Sequence, residues 1–154
     1  MVKKTENTEK KNSNHLVAIR IRGITKIKTK IEDTLQMLRL YKNNYCSVFP
    51  NNPVYEGMLK RAKDYITWGE VDDETFKMLV EKRGEEFNGR EEDAHSKIKY
   101  NEFFVIGSKK YKKYFRLNAP RKGFGRKGIK HTFTNGGTLG YRGDKINDLI
   151  KRMV

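Results

Sequence analysis

The first half of the chain alternates apolar and polar positions in a way that predicts a small core of strands and helices. Residues 15–22 alternate, with Val17, Ile19 and Ile21 on one side and Arg20 and Arg22 on the other. This period of two is typical of a half-exposed strand. Over residues 30–41 the period changes, because Ile31, Leu35 and Leu38 recur at the spacing of one helix face. We therefore predict a strand followed by a helix.

Two further strands and a second helix complete this predicted core. Residues 45–49 and residues 65–71 are short apolar runs with strand character. Between them, Asn52 and Pro53 form a helix start, because asparagine caps helices and proline fits the first helical position. The helix is expected to reach residue 64 and to bury Val54, Met58, Leu59 and Ala62. The order β-α-β-α-β over residues 15–71 predicts an α+β core domain.

Residues 72–154 are less regular and are interpreted as a C-terminal extension. Asp72 and Asp73 offer a cap for a third helix that ends at Gly84. Residues 85–97 are polar and acidic, which indicates a loop or an insertion.

The end of the chain predicts one more helix. Residues 100–107 are apolar, and lysines alternate with aromatic side chains over residues 109–116. Asp144 is a candidate cap for a closing helix, whose apolar face comprises Ile146, Leu149, Ile150 and Met153.

The charge of the chain indicates what kind of partner it binds. The chain has 154 residues, of which 34% are charged, and its net charge is +15. Such an excess favours binding to polyanions, and nucleic acid is the predicted partner. Residues 70–93 carry ten acidic and four basic side chains, so this acidic block is expected to face away from the polyanion. Residues 1–14 are polar and predict a disordered N-terminal tail.

The positive charge is densest in residues 116–143, which contain no Asp or Glu and 7 of the 13 glycines. Interior glycines disfavour regular helix, so loops and short strands are expected here. Glycine also lets a backbone approach a sugar–phosphate chain closely, while Phe124 and Tyr141 could stack on unpaired bases. Phe133 is as easily a core residue. The predicted RNA-binding side chains of this segment are Arg116, Arg121, Lys122, Arg126, Lys127, Lys130 and Arg142.

Other chemistry finds no support in the sequence. Residues 123–128 match the glycine pattern G-x-G-x-x-G of dinucleotide sites, but neither the preceding strand nor the following helix is predicted. Cys46 is the only cysteine and lies in an apolar strand, where a core role is favoured. The three histidines are far apart along the chain. We therefore predict no catalytic residues, no metal, no cofactor, no small-molecule substrate and no membrane partner.

Three segments together resemble the large-subunit ribosomal protein L thirty family in its long, archaeal-type form, whose eukaryotic relative is called L seven. They are HLVAIRIRG at 15–23, NPVYEGMLKRAKDYITWGEV at 52–71, and RKGFGRKGIKHTF with GTLGYRGDKINDLIKRM at 121–153. The resemblance implies a ferredoxin-like sheet with two helices on one face. It also implies that residues 72–154 are the part added in the long form.

The resemblance further implies a non-enzymatic constituent of the large ribosomal subunit in the cytoplasm. Its partners would be large-subunit rRNA and neighbouring ribosomal proteins. A second, weaker group of RNA contacts is then expected near the first strand, at Arg20, Arg22, Lys26, Lys28 and Lys30. An RNA- or DNA-binding regulator outside the ribosome would share the same basic features, so that alternative stays open.

Overall fold

The structure is a computed structural model that describes residues 15–154, and the predicted tail at residues 1–14 lies outside the described residues. The helices are α1 (Thr29–Met37), α2 (Pro53–Arg61), α3 (Asp73–Arg83) and α4 (Ile146–Met153). The strands are β1 (His15–Arg20), β2 (Tyr45–Pro50), β3 (Ile66–Glu70), β4 (Phe103–Ile106), β5 (Lys109–Lys112), β6 (Phe115–Arg116) and β7 (Gly140–Tyr141). Short 3-10 helices cover Gly128–Lys130, Phe133–Asn135 and Gly143–Lys145.

The central sheet has the strand order β6-β2-β1-β3-β7. Strand β1 lies in its middle and pairs antiparallel with both β2 and β3. The β-α-β-α-β order predicted for residues 15–71 is therefore confirmed.

Helices α1 and α2 cover one face of this sheet, as expected from the resemblance. Leu16 and Ala18 of β1 pack there with Leu35 of α1 and Leu59 of α2. Trp68 is buried on the same face.

The prediction that β1 is half exposed is wrong, because helices also cover the second face of the sheet. Val17 and Ile19 of β1 are fully buried there against Leu79 of α3 and Leu149 of α4. A strand buried on both faces needs apolar residues at consecutive positions, and Leu16 to Ile19 provide them. The shared orientation of Val17, Ile19 and Ile21 is confirmed.

The C-terminal part also adds strands to the central sheet. β6 pairs antiparallel with β2, and β7 pairs in parallel with β3. At Gly69, β3 and the C-terminal part approach each other so closely that an added Cβ would lie 2.1 Å from the carbonyl oxygen of Gly143. Residues 15–71 and 72–154 thus share one sheet and one apolar core.

A β-hairpin formed by β4 and β5 was not predicted. Ile106 pairs with Lys109 across a two-residue loop, and Gly107 has a φ of 62°. Glycine with positive φ at the first loop position suits a tight hairpin turn.

The helix boundaries differ from the predicted ones at several points. α1 ends at Met37 and α2 at Arg61, and Val54 is 69% exposed rather than buried. Asn52 occupies the predicted N-cap position of α2, although its side chain makes no capping hydrogen bond. Asp144 lies in a 3-10 turn before α4 rather than capping it. Within residues 15–154, no helix is long and apolar enough to cross a bilayer.

Candidate nucleic-acid interface

A loop that follows β6 and ends with the 3-10 helix Gly128–Lys130 presents five cations to solvent. All five side chains are exposed, and none forms an ion pair within residues 15–154. We call residues 121–130 the basic loop, and its cations are Arg121, Lys122, Arg126, Lys127 and Lys130. Guanidinium and ammonium groups in this density give the loop a strongly positive surface potential, which favours anions.

Helix α4 holds the start of the basic loop. The Arg152 guanidinium donates hydrogen bonds to the carbonyl oxygens of Arg121, at 3.2 Å, and Gly123, at 2.9 Å. In return, the Arg121 amide donates to the Arg152 carbonyl oxygen at 3.0 Å. Lys122 and Gly123 both have positive φ, so the chain turns sharply here. The turn directs the loop cations outward while their backbone stays attached to the core.

A second turn supports the other end of the loop. The Thr138 hydroxyl donates to the carbonyl oxygen of Gly128 at 3.1 Å, and the Thr138 amide donates to the carbonyl oxygen of His131 at 2.9 Å. Gly137 packs so closely that an added Cβ would lie 2.2 Å from the His131 carbonyl oxygen. Glycine at this position thus permits the contact that orders the loop.

Arg142, although predicted to bind RNA, is only 6% exposed. Its Nε donates to the Thr67 hydroxyl and its Nη2 to the Thr138 carbonyl oxygen, each at 2.8 Å. Its guanidinium also lies over the ring of Phe133. Burial lowers the pKa of Arg142 to about 10, so the side chain remains charged at neutral pH. Here a buried cation holds the basic segment to β3.

Arg20 has a similar position in the second predicted group. It is 2% exposed, and its guanidinium donates hydrogen bonds to the carbonyl oxygens of Leu40 at 2.7 Å and Tyr41 at 3.0 Å. Further bonds reach the carbonyl oxygens of Arg22 and Gly23. Burial lowers its pKa from the ordinary arginine value. All four bonds go to backbone oxygens, so Arg20 stabilises the chain around the end of β1.

The other members of the second group are accessible. Arg22 is half-buried, and Lys26, Lys28 and Lys30 are exposed. They follow the end of β1, where the Asn44 amide donates to the Arg20 carbonyl oxygen and the Leu117 amide donates to the Asn44 carbonyl oxygen. Leu117 begins the segment that leads to the basic loop. This segment and the cations after β1 therefore start from the same end of the sheet.

Arg116 is exposed but already has an anionic partner. It pairs with Glu85, which also accepts a hydrogen bond from Lys112 at 3.0 Å. Burial alone would raise the pKa of Glu85, but the hydrogen bonds from Lys112 and Arg116 outweigh it and lower that pKa. Glu85 thus compensates positive charge where β5 ends and β6 begins.

The acidic block makes further pairs with the lysines of the hairpin. Glu86 pairs with Lys109 at 2.9 Å, and Glu91 pairs with Lys110. The carboxylates of this segment thus neutralise the lysines of the hairpin and not the cations of the basic loop. These pairs join residues 23 and 19 positions apart, so no local motif in the sequence indicated them.

The aromatic residues of the basic segment are unequally accessible. Phe124 and Phe133 are half-buried, and Phe124 packs against the core. Tyr141 is 53% exposed, but its hydroxyl is bound to the carboxylate of Glu70 at 2.6 Å. Tyr141 is thus the most accessible of the three for stacking.

Features that could have indicated other chemistry have structural explanations. Residues 123–128 follow an irregular segment and lead into a three-residue 3-10 helix, so the flanks of a dinucleotide site are absent there. Cys46 is fully buried, and burial raises the pKa of its thiol. Among residues 15–154, no cluster of three or more His, Cys, Asp or Glu side chains could hold a metal ion.

Comparison with known proteins agrees with the resemblance seen in the sequence. Residues 16–66 match the family described as ribosomal protein L30p/L7e. A large ribosomal subunit protein uL30 of Nanoarchaeum equitans is 43% identical over 150 residues, which cover 88% of this chain and 96% of the relative. The uL30 proteins of Methanosphaera stadtmanae and Methanopyrus kandleri are 45% and 41% identical, and the alignments cover 88% and 87% of this chain and 97% and 100% of the relatives. The similarity extends far beyond residue 66 into the part that carries the basic loop, and the chain belongs to the ribosomal protein L30p/L7e family.

Proposed function

We propose that the chain is a structural constituent of the large ribosomal subunit in the cytoplasm, where it binds large-subunit rRNA and supports subunit assembly and translation. The observation that carries this proposal is the basic loop, in which five exposed cations have no carboxylate partner within residues 15–154 and the backbone is fixed by hydrogen bonds. Membership in a family of ribosomal proteins supports a structural rather than a catalytic role.

The basic loop would bind chiefly through phosphates. Arginine offers paired donors that match two phosphate oxygens, and lysine adds charge. Such contacts position a protein on RNA without reading its sequence, so specificity would come from RNA shape and unpaired regions. The accessible cations after β1 would extend this surface, and they are Arg22, Lys26, Lys28 and Lys30.

The remaining predicted contacts already have partners within the chain. Arg116 would contact RNA from its place beside Glu85, which would weaken its net attraction for phosphate. Direct RNA contact by Arg20 and Arg142 stays a prediction, and their internal hydrogen bonds support a role in positioning the backbone. Neighbouring large-subunit proteins would complete the set of partners.

Sedimentation tests this proposal against the alternative of an RNA- or DNA-binding regulator outside the ribosome. Cell extract is separated on a sucrose gradient, and the chain is quantified in each fraction by mass spectrometry. A structural constituent is expected at one copy per large subunit, including after a high-salt wash. Recovery mainly in the free-protein fractions would support the regulator instead.

A further inference from the structure

Three tyrosine rings form a cluster at the edge of the sheet where β2 meets β6. Tyr45 and Tyr114 are stacked, with ring centroids 5.4 Å apart and an interplanar angle of 13°. Tyr41 stands nearly perpendicular to both rings, at centroid distances of 6.3 Å and 5.9 Å. Tyr41 is 44% exposed, so this cluster reaches the surface instead of closing within the core.

A small pocket opens beside this cluster. Its volume is about 150 Å³, below the roughly 300–1,000 Å³ that is typical for drug-sized ligands. It therefore suits one planar group. We call it the tyrosine pocket, and its walls are Arg39, Tyr41, Phe87, Glu102, Lys112 and Tyr114.

Two cations meet at Asn101 beside the tyrosine pocket, where Arg39 forms part of the wall and Lys113 lies outside it. Arg39 donates to the backbone carbonyl oxygen of Asn101 at 2.6 Å, and the Lys113 ammonium donates to the side-chain oxygen of the same residue. Neither cation forms an ion pair with a carboxylate in the described part of the chain. Burial lowers the pKa of Lys113, and the charge of Arg39 lowers it further. A bound anion would relieve this repulsion.

We propose that the tyrosine pocket binds a single unpaired nucleotide of RNA, with its base stacked on Tyr41 and beside the edge of Tyr114, and its phosphate at Arg39 and Lys113. The Tyr114 ring already stacks on Tyr45 and has the Lys112 ammonium 5.8 Å from its centroid, so Tyr41 is the stacking platform. The inference rests on the proposed rRNA binding and adds a second contact on another part of the surface. Aromatic stacking tolerates every base, since each has a flat π-face.

The carboxylate of Glu102 would give the pocket a preference among bases. A carboxylate only accepts hydrogen bonds. Adenine, cytosine and guanine carry amino groups that can donate to it, whereas the single N3–H donor of uracil lies between two carbonyl oxygens that the carboxylate would repel. The pocket therefore favours bases that carry an amino group.

Paired substitutions separate this site from the basic loop. Tyr41→Ala should weaken binding of the full chain to naked large-subunit rRNA by about 5- to 100-fold, the usual range for loss of one stacking platform. Tyr41→Phe keeps the ring and should bind within about twofold of wild type. Arg39→Gly removes the guanidinium but suits the backbone, because Arg39 has a φ of 57°. It should reduce the magnitude of the salt slope by about one.

Ultraviolet cross-linking of purified large subunits locates the contact directly. After nuclease digestion, mass spectrometry should find a nucleotide adduct on Tyr41 or Tyr114 and a separate adduct within residues 121–130. Adducts on the basic loop alone, together with wild-type binding by Tyr41→Ala and Arg39→Gly, would overturn the pocket and leave rRNA binding standing. A cross-link from Tyr41 to another protein would also overturn it. Absence of adducts and of rRNA affinity in the wild-type chain would remove both proposals.

Discussion

The Nε atom of Arg142 donates a 2.8 Å hydrogen bond to the hydroxyl of Thr67, and both side chains are buried. The two residues are 75 positions apart, so this bond ties the basic segment to strand β3 of the core. A cation in a basic segment can contact a ligand or hold the segment in place, and this bond supports the second role for Arg142.

Replacing Arg142 tests this structural role. Arg142→Met should lower the free energy of unfolding by about 2–3 kcal/mol, because the Thr67 hydroxyl and the Thr138 carbonyl lose a buried donor. Urea unfolding measures the change. The exposed Arg126→Ala should alter stability by no more than about 0.5 kcal/mol. Wild-type stability with lost rRNA affinity in Arg142→Met would instead show a direct RNA contact.

Gly137 permits the turn that supports the basic loop. Gly137→Ala should disrupt it, because the new Cβ would lie 2.2 Å from the His131 carbonyl oxygen. Hydrogen exchange at the Thr138 and Leu139 amides, which both donate to that oxygen, should become faster. Gly57→Ala is the matched control, since nothing lies within 4 Å of a Cβ there. This helical change should stabilise the chain by about 0.5–1 kcal/mol. Unchanged exchange in Gly137→Ala would contradict the close packing.

The pairing of Glu85 predicts a dependence of stability on pH. Since hydrogen bonds from Lys112 and Arg116 lower its pKa in the folded chain, its contribution is present above the ordinary value of 4.5 and is lost as pH falls through the lowered pKa. Glu85→Gln should cost about 0.5–1 kcal/mol at pH 7, and the difference from wild type should shrink in acid. Glu81→Gln is the matched control, because it removes an exposed carboxylate that has no ion pair within residues 15–154. A difference independent of pH would point to packing.

The second face of the sheet predicts how the two halves depend on each other. A fragment of residues 1–71 lacks α3 and α4, so the face around Val17 and Ile19 would lie open to water. Cys46 on that face is fully buried in the described chain and should react slowly with a thiol reagent. In the fragment, its thiol should react at nearly the rate of a free cysteine. A protected Cys46 and cooperative unfolding of the fragment would show that the core stands alone.

Local patterns in the sequence were sufficient for much of the fold. The strands and helices of residues 15–71 follow from apolar spacing, and the closing helix follows from Ile146, Leu149, Ile150 and Met153, which are all fully buried. The second buried face of β1 could not be read this way, because it depends on helices more than 50 residues further along the chain. The hairpin was missed because lysines interrupt β5, and those lysines are compensated by distant carboxylates.

The site shows the same division between local and long-range information. The basic loop stands out in the sequence because glycine and positive charge are properties of adjacent residues. Exposure of an individual arginine depends on its partners in space, so Arg142 and Arg126 look equivalent until Thr67 is placed beside one of them. The tyrosine pocket is lined by Tyr41, Phe87 and Tyr114 from three separate segments, and no local motif in the sequence predicts it.

The central claim is that the exposed cations of the basic loop bind rRNA phosphates. The most direct test is the affinity of the full chain for large-subunit rRNA between about 50 and 200 mM salt. The variant R121A/K122A/R126A/K127A should lose about three units of the slope of log affinity against log salt, since each phosphate contact contributes about 0.7–0.9.

The matched control is K60A/K99A/K109A/K110A, which removes the same charge from lysines that already pair with carboxylates. We expect this control to keep most of the wild-type slope and affinity, while the basic-loop variant loses both. Equal losses in the two variants would mean that only net charge matters. A basic-loop variant with the wild-type slope would contradict the account.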